Sequence, residues 1–287
     1  MPYRPDVKID YPVVMIQQVR LLQALAEAEV AVYLHSDDRA RFAGGYGSSQ
    51  FRYHDELPAK SDCISFDELC YIHHPTPETR VGRISRPLIF PQSMFECCRK
   101  QWATESQRQL CCFPGLLTPA RVASISRWVK YQWHIDRFNV LAARPLHKKI
   151  YQKLQSRLLG YTTWALRIRE LRIEESTRGR IFPHKLWDSG YFSRLCRTRF
   201  VLCPDGDFGW SYRFFESMMC GAIPVVETAA ACCEGYEFYE WDRPLVEMEW
   251  TEEKARRNFQ RCLEQITIPR DDLLSEVCRF VDHGSSD

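Results

Sequence analysis

The run Phe200-Val201-Leu202-Cys203-Pro204-Asp205-Gly206-Asp207-Phe208-Gly209-Trp210-Ser211-Tyr212-Arg213-Phe214-Phe215-Glu216 constrains the fold more than any other part of the chain. Phe200 to Cys203 is a short apolar run with the character of a buried strand. Pro204 to Ser211 is a tight polar loop holding Gly206 and Gly209, and Tyr212 to Cys220 reads as a helix with Phe214, Met218 and Met219 toward the core. Gly221 suits the C-terminal end of that helix, and Ala222 to Glu227 reads as the next strand. Strand, helix and strand at this spacing form a βαβ unit, the building block of a parallel sheet covered by helices.

A second unit of the same kind opens the chain. Pro12 to Ile16 is a short β-branched run, and Gln17 to Glu29 carries Val19, Leu22, Leu25 and Ala26 on one helical face. Val30 to Leu34 is the following strand, ending in the polar cluster His35-Ser36-Asp37-Asp38. Ligands of open α/β sheets bind beyond such strand ends. From Gly44 to Arg86 glycine, histidine and proline interrupt the pattern and no sheet can be traced.

Ser93 to Ser106 has helical character, and Gln109 to Phe113 reads as a strand broken at Pro114-Gly115. A helix from Thr118 to Tyr131 follows, with Thr118 as N-cap and Pro119 at its first position. Residues 145 to 175 are basic and amphipathic. Leu146, Ile150, Leu154 and Leu158 recur there at helical spacing, with Lys148, Lys149, Lys153 and Arg157 between them, the pattern of a solvated helix face. Gly190 to Arg197 reads as a further helix, and Leu273 to Val281 as a C-terminal one with Leu274, Val277, Cys278 and Val281 on one side. The expected organisation is an N-terminal α/β lobe over 1–104, a C-terminal α/β lobe over 105–270, and a helix with a tail over 271–287 that crosses back to the first lobe.

Charge and cysteine usage narrow the function classes. Lys+Arg number 39 against 37 Asp+Glu, a net charge of +2, so the whole molecule lacks the field that non-specific nucleic-acid binding requires. The 13 cysteines are odd in number, and three adjacent pairs (Cys97-Cys98, Cys111-Cys112, Cys232-Cys233) sit in or beside apolar runs. With no apolar run of ~18 residues and no signal-like start, the reading is a cytoplasmic chain without an integral membrane segment, its thiols acting as small buried hydrophobes. No C-x-x-C pair occurs, so no metal site is expected.

The loop from Pro204 delivers the chain to a helix N-terminus, where free N–H groups and the helix dipole favour a phosphate. Ser211 can cap that helix or donate to a phosphate oxygen, and Arg213 in the first turn can add a fork of donors. Glu216, one turn on, can accept from the hydroxyls of a ribose. The alternative is a surface ion pair between Arg213 and Glu216 with Ser211 only as a cap.

The same residues resemble the signature of exostosin-like glycosyltransferases. In that family a strand, a Cys-Pro-x-Gly loop, a Ser-x-Arg-Phe-x-Glu/Asp helix and a Gly-x-Ile-Pro-Val-Val strand form the donor site. The likeness is strong over Phe200 to Val226 and weaker upstream through Tyr191, while Phe113-x-Gly115 with Arg121 resembles the first strand and loop of the donor lobe. The resemblance implies a GT-B-like α/β fold of two Rossmann-like lobes with a cleft between them, the first lobe reduced. It also implies a UDP- or GDP-sugar donor, a glycan or other hydroxyl acceptor, inversion at the anomeric carbon, and neither cofactor nor obligatory metal. By position, Ser211 and Arg213 would hold phosphate and Glu216 the ribose, with Gly115, Arg121 and Gly206 also in the substrate site. The chain departs from the family in its first lobe, which lacks the usual motifs, and at Asp205, where arginine is frequent.

Inverting transfer needs a base for the acceptor proton and positive charge at the departing diphosphate. Arg213 is the expected charge, helped by Arg121 or Lys185, and His35 or Asp37 the expected base. Asp205-x-Asp207 is the rival, metal-binding pair. A non-catalytic nucleotide-sugar or glycan-binding protein is the alternative function. A dinucleotide oxidoreductase is disfavoured, since no G-x-G-x-x-G run follows a strand.

Overall fold

The computed structural model describes residues 5–57, 63–135 and 146–284; the side chains of 146–149 and 283–284 are not among the described parts. In chain order the elements begin with β1 (Asp6–Lys8), α1 (Ile16–Glu27), β2 (Ala31–Leu34), α2 (Asp38–Phe42), β3 (Phe51–Tyr53), β4 (Cys63–Ser65) and α3 (Phe66–Leu69). They continue with β5 (Cys70–His73), β6 (Glu78–Val81), β7 (Ile84–Arg86), α4 (Gln92–Lys100), β8 (Gln109–Gly115), α5 (Pro119–Trp133) and α6 (Leu146–Leu159). Next come β9 (Thr163–Ile168), β10 (Leu171–Ser176), α7 (Ser189–Leu195), β11 (Thr198–Cys203), α8 (Tyr212–Met219), β12 (Ile223–Val226) and β13 (Tyr239–Glu240). The helices α9 (Glu252–Ile266) and α10 (Arg270–Gly284) close the chain.

Two compact units result, each α/β with a parallel sheet, which is the expected fold class. Unit 1 takes Met1–Glu96, Phe182–Trp187 and Leu263–Asp287, and unit 2 takes Cys97–Ile181 and Asp188–Cys262. The segment Phe182–Trp187 has no counterpart in the division at 104 and 270 drawn from the sequence.

In unit 1 the order β3-β2-β1-β4 is parallel throughout, with Val7 of β1 opposite Val32 on one side and Ile64 on the other. The opening strand is therefore Asp6–Lys8 and not Pro12 to Ile16. The reason lies in the backbone of Val13, whose N–H donates to Asp38 Oδ2 at 2.9 Å and whose carbonyl accepts from Arg41 Nη2 at 2.6 Å. Both groups are taken by α2 side chains, and Pro12 has no N–H to offer a ladder. Helix α1 buries the anticipated Val19, Leu22, Leu25 and Ala26, but its other side is buried as well. There Arg20 Nη1 and Gln23 Nε2 both donate to the carbonyl of Leu186, at 2.6 and 3.1 Å, which fastens the segment Phe182–Trp187 to unit 1.

The stretch where the sequence shows no sheet contains an antiparallel one, β5-β6-β7, with Gly82 at a positive φ of +54° in the turn between β6 and β7. Helix α10 buries Leu273 and Val277 in the core of unit 1, with Leu274 and Val281 partly covered.

Unit 2 is built on the sheet β13-β12-β11-β8-β10-β9, parallel except for the hairpin β9–β10. Residues Phe200 to Cys203 and all of β12 are buried, as expected of strands covered on both faces. Strand β8 does not break at Pro114 but runs to Gly115. Pairing with β11 ends at Cys112 while pairing with β10 continues, so on the β11 side Pro114 interrupts no ladder and its carbonyl is left for another donor.

The basic stretch is likewise corrected. Only Leu146–Leu159 is helical, and β9 and β10 follow as a two-residue hairpin with Arg169 at φ +49°. Alternating Leu171, Arg172 and Ile173, with both apolar members fully buried, carried that strand signal. On α6 the apolar spacing faces outward, with Ile150, Leu154 and Leu158 exposed by 65%, 53% and 72%; the side chains of Leu146, Lys148 and Lys149 lie outside the described residues. Among the described residues no helix is long and apolar enough to cross a membrane.

Candidate anion site at the ends of β8 and β11

The connectivity of unit 2 locates the site. From β8 the chain proceeds to β10 on one side, then crosses to β11 on the other, so the loops leaving β8 and β11 diverge at their carboxyl ends. That divergence is the topological switch point where open parallel sheets bind ligands. The residues expected in the substrate site sit around these two loops: Gly115 at the end of β8, Gly206 and Ser211 between β11 and α8, and Arg121 and Arg213 in the first turns of α5 and α8.

Arg213, in the first turn of α8, is buried, 7% exposed. Its Nε donates to the carbonyl of Pro114 at 2.9 Å, and its guanidinium lies 4.5 Å from the centre of the Phe113 ring. Gly115 makes room for it. A Cβ placed on Gly115 would stand 2.2 Å from Arg213 Nη2, and the φ of +144° is one that residues with a side chain rarely adopt. Arg213 Nη1 is buried and finds no hydrogen-bond partner among the described residues.

Arg121 joins it from the first turn of α5. Thr118 caps that helix by accepting from the Arg121 N–H at 3.3 Å, and Arg121 Nη1 donates to the Leu116 carbonyl at 3.3 Å. Arg121 Nη2 lies 3.3 Å from where a Cβ on Gly206 would be, so the guanidinium stands against the loop after β11, and Nε is buried without a partner among the described residues. Burial first, and then the charge of Arg213, pull the Arg121 guanidinium down to about 10, with Asp207 opposing. A half-buried cation depressed by a second, buried one beside it is an arrangement an anion relieves.

Ser211 occupies the N-cap position of α8 with extended backbone, yet its side chain makes no capping bond. Its Oγ is buried without a partner among the described residues, which leaves the hydroxyl for a ligand. Arg213 and Glu216 do not form the alternative ion pair. Glu216 Oε2 instead accepts from the Tyr191 hydroxyl at 2.6 Å, and burial together with Glu216 pushes that phenol well above its ordinary value.

Tyr191 is a site residue that the sequence reading passed over, as is Glu227. Glu227 receives the Ser124 hydroxyl at 2.8 Å and the Asp205 N–H at 3.4 Å, so it anchors the loop after β11. Burial raises the carboxyl of Asp205, while Asp207 and Phe208 are exposed on the loop.

His35 and Asp37 lie in unit 1 after β2, whereas the switch point of that sheet falls between β1 and β4. The Asp37 N–H donates to His35 Nδ1 at 3.2 Å. The exposed Asp37 carboxylate stands 3.5 Å from the same nitrogen. Asp38 is buried, paired with Arg41 and bonded to Val13, its carboxyl raised chiefly by burial. Lys185 also belongs to unit 1, where its ammonium donates to the Val14 carbonyl at 2.5 Å.

No family model matches the chain. Among curated proteins it is similar to a probable glucuronoxylan glucuronosyltransferase of Arabidopsis thaliana, 33% identical over 89 residues. That match covers 31% of this chain and 18% of the plant protein, so the chain spans well under two thirds of its relative. Among solved structures it is similar to AviGT4, a glycosyltransferase involved in avilamycin A biosynthesis, with a TM-score of 0.46 and 11% identity over 98% of this chain and 96% of that one. The chain resembles exostosin-like glycosyltransferases.

Proposed function

We propose that the chain transfers a sugar from a nucleotide-sugar donor to a glycan hydroxyl, with the donor diphosphate held by Arg121, Ser211 and Arg213. The observation that carries this reading is the meeting of two guanidiniums and a hydroxyl, each with a buried polar atom unused among the described residues, at the switch point of a parallel sheet. A buried donor left without an acceptor costs roughly 1–3 kcal/mol, so three together point to a ligand that supplies the acceptors. In the proposed reaction the acceptor oxygen attacks the anomeric carbon as the bond to the β-phosphate oxygen breaks, with inversion. The charge left on the diphosphate is met by Arg121 and Arg213, which is why no metal is required. Glu216, held by Tyr191, takes the ribose hydroxyls, and the Asp37 carboxylate is the proposed base.

The two α/β units are the parts from which a GT-B enzyme is made. A reducing cytoplasm is the proposed location, since no disulfide joins the cysteines among the described residues. The experiment is a thermal-shift screen of UDP, GDP and their sugars, with a uronic-acid donor tried first because of the relative's glucuronosyl transfer, followed by an assay of donor hydrolysis. A stabilising nucleoside diphosphate and slow hydrolysis of its sugar are expected. Binding without hydrolysis or transfer would favour a non-catalytic binding protein, and the absence of any nucleotide effect would remove the reading.

A further inference from the structure

At the opposite end of α8 from Arg213, three cysteines remote in sequence meet. Cys98 lies in the last turn of α4, Cys196 follows α7 as its C-cap, and Cys220 follows α8 as its C-cap. Cys196 and Cys220 are 98 and 122 positions from Cys98, so no spacing in the sequence marks the group. Their sulfur atoms all lie within 4.8 Å of one another, those of Cys98 and Cys220 at 3.7 Å, and all three residues are fully buried. Among the described residues no other three His, Cys, Asp or Glu ligand atoms come so close.

Three thiolates around one cation at ~2.3 Å, in a plane, stand ~4 Å apart, which this cluster reaches by shifts of a few tenths of an ångström. Its surroundings are held firmly. The Trp102 indole N–H donates to the Met219 carbonyl at 3.2 Å and that of Trp250 to the Gly221 carbonyl at 3.0 Å, fixing the backbone on both sides of Cys220. Arg108, 6% exposed, lies over the rings of both Trp102 and Trp250, with Nη1 donating to the Thr198 carbonyl at 2.8 Å. Its Nη2 is buried with no partner among the described residues, and its charge acts on Cys196 and Cys220. A fixed cation acting on two of the three sulfurs offsets part of the negative charge that metal binding creates.

We infer that Cys98, Cys196 and Cys220 form a three-sulfur site for one soft, thiophilic cation of the copper(I) type. Sulfur selects such ions over magnesium, calcium or manganese, and three ligands in a closed pocket suit copper(I) better than zinc, which takes four. Binding replaces thiol protons, released to solvent, with sulfur–metal bonds and clamps the ends of α4, α7 and α8.

The test uses the full chain, reduced and kept anaerobic, titrated with copper(I) in competition with bicinchoninate. One equivalent should bind with three sulfur neighbours at ~2.3 Å by X-ray absorption. Cys196→Ser and Cys220→Ser should each weaken binding by at least ~100-fold, since even an outer-shell change costs 10–100-fold. Cys262→Ser, at a buried thiol outside the group, should leave affinity unchanged. Copper(I) should raise the Tm of the unaltered chain and of Cys262→Ser but not of Cys196→Ser. Should the serine variants fail to fold, the absorption spectrum of the unaltered chain decides. A shell other than three sulfurs, no stoichiometric uptake, or equal loss in Cys262→Ser would overturn the inference.

Discussion

Gly115→Ala puts the proposed role of Arg213 at risk most directly, because it perturbs the arginine without touching it. The added Cβ would stand 2.2 Å from Arg213 Nη2 and 3.3 Å from its Cζ, far inside contact distance, so the guanidinium must leave. It cannot slide while keeping its place, since Nε is held by the Pro114 carbonyl at 2.9 Å and the Phe113 ring lies below. One charge-assisted hydrogen bond to a ligand is worth ~1.5–3 kcal/mol, so nucleoside diphosphate should bind roughly 10- to 100-fold more weakly. The φ of +144° adds backbone strain of ~1–3 kcal/mol, which lowers stability but acts apart from the ligand. Calorimetric titration of the tightest-binding nucleoside diphosphate into the unaltered chain, Gly115→Ala, Arg213→Ala and the double variant separates the two effects. In the Arg213→Ala background, Gly115→Ala should change affinity by less than ~2-fold, a coupling of ~1–2 kcal/mol between the sites. If the two losses simply add, Gly115 does not act by seating Arg213, and the diphosphate contact assigned to that arginine is refuted.

Ser211→Ala should leave Tm within a degree or two, because the hydroxyl caps nothing, yet weaken nucleotide binding ~3- to 10-fold; Thr118→Ala, which removes a real cap, should instead cost ~1 kcal/mol of stability. A stability loss for Ser211→Ala equal to that of Thr118→Ala would show the serine to be structural. Tyr191→Phe strips the buried Glu216 carboxylate of its donor and should cost ~1–3 kcal/mol by denaturant titration, whereas Glu216→Gln should chiefly raise the donor KM. An unchanged KM in folded Glu216→Gln would exclude the ribose contact. Treatment with EDTA should leave transferase activity essentially intact, with two guanidiniums in place of a cation; full loss restored by manganese would promote Asp205 and Asp207 to metal ligands.

Local pattern alone sufficed for the strand, loop and helix from Thr198 to Met219, the strand after it, and the Thr118 cap, since apolar periodicity, glycine placement and capping are properties of neighbouring residues. It also singled out Gly206, Ser211 and Arg213 of the candidate site, because a helix N-terminus after a strand has the same chemistry in any fold, whereas only the family resemblance pointed to Gly115 and Arg121. What it could not supply were facts about residues distant along the chain. Val13 is withdrawn from a strand by Asp38 and Arg41, and the polar side of α1 is buried because Arg20 and Gln23 meet Leu186 across the sequence. Only the strand order, with β8 between β10 and β11, brings Arg121 beside Arg213 and makes of two ordinary arginines the pair on which the proposed anion site rests. The same holds for the thiols. Sequence reading looks for ligands at short spacings and finds no C-x-x-C, whereas three helix ends meeting in unit 2 bring Cys98, Cys196 and Cys220 together. Side-chain chemistry is written into each residue, but whether a buried donor has an acceptor, or a sulfur two neighbours, is settled by packing between elements that the chain visits far apart.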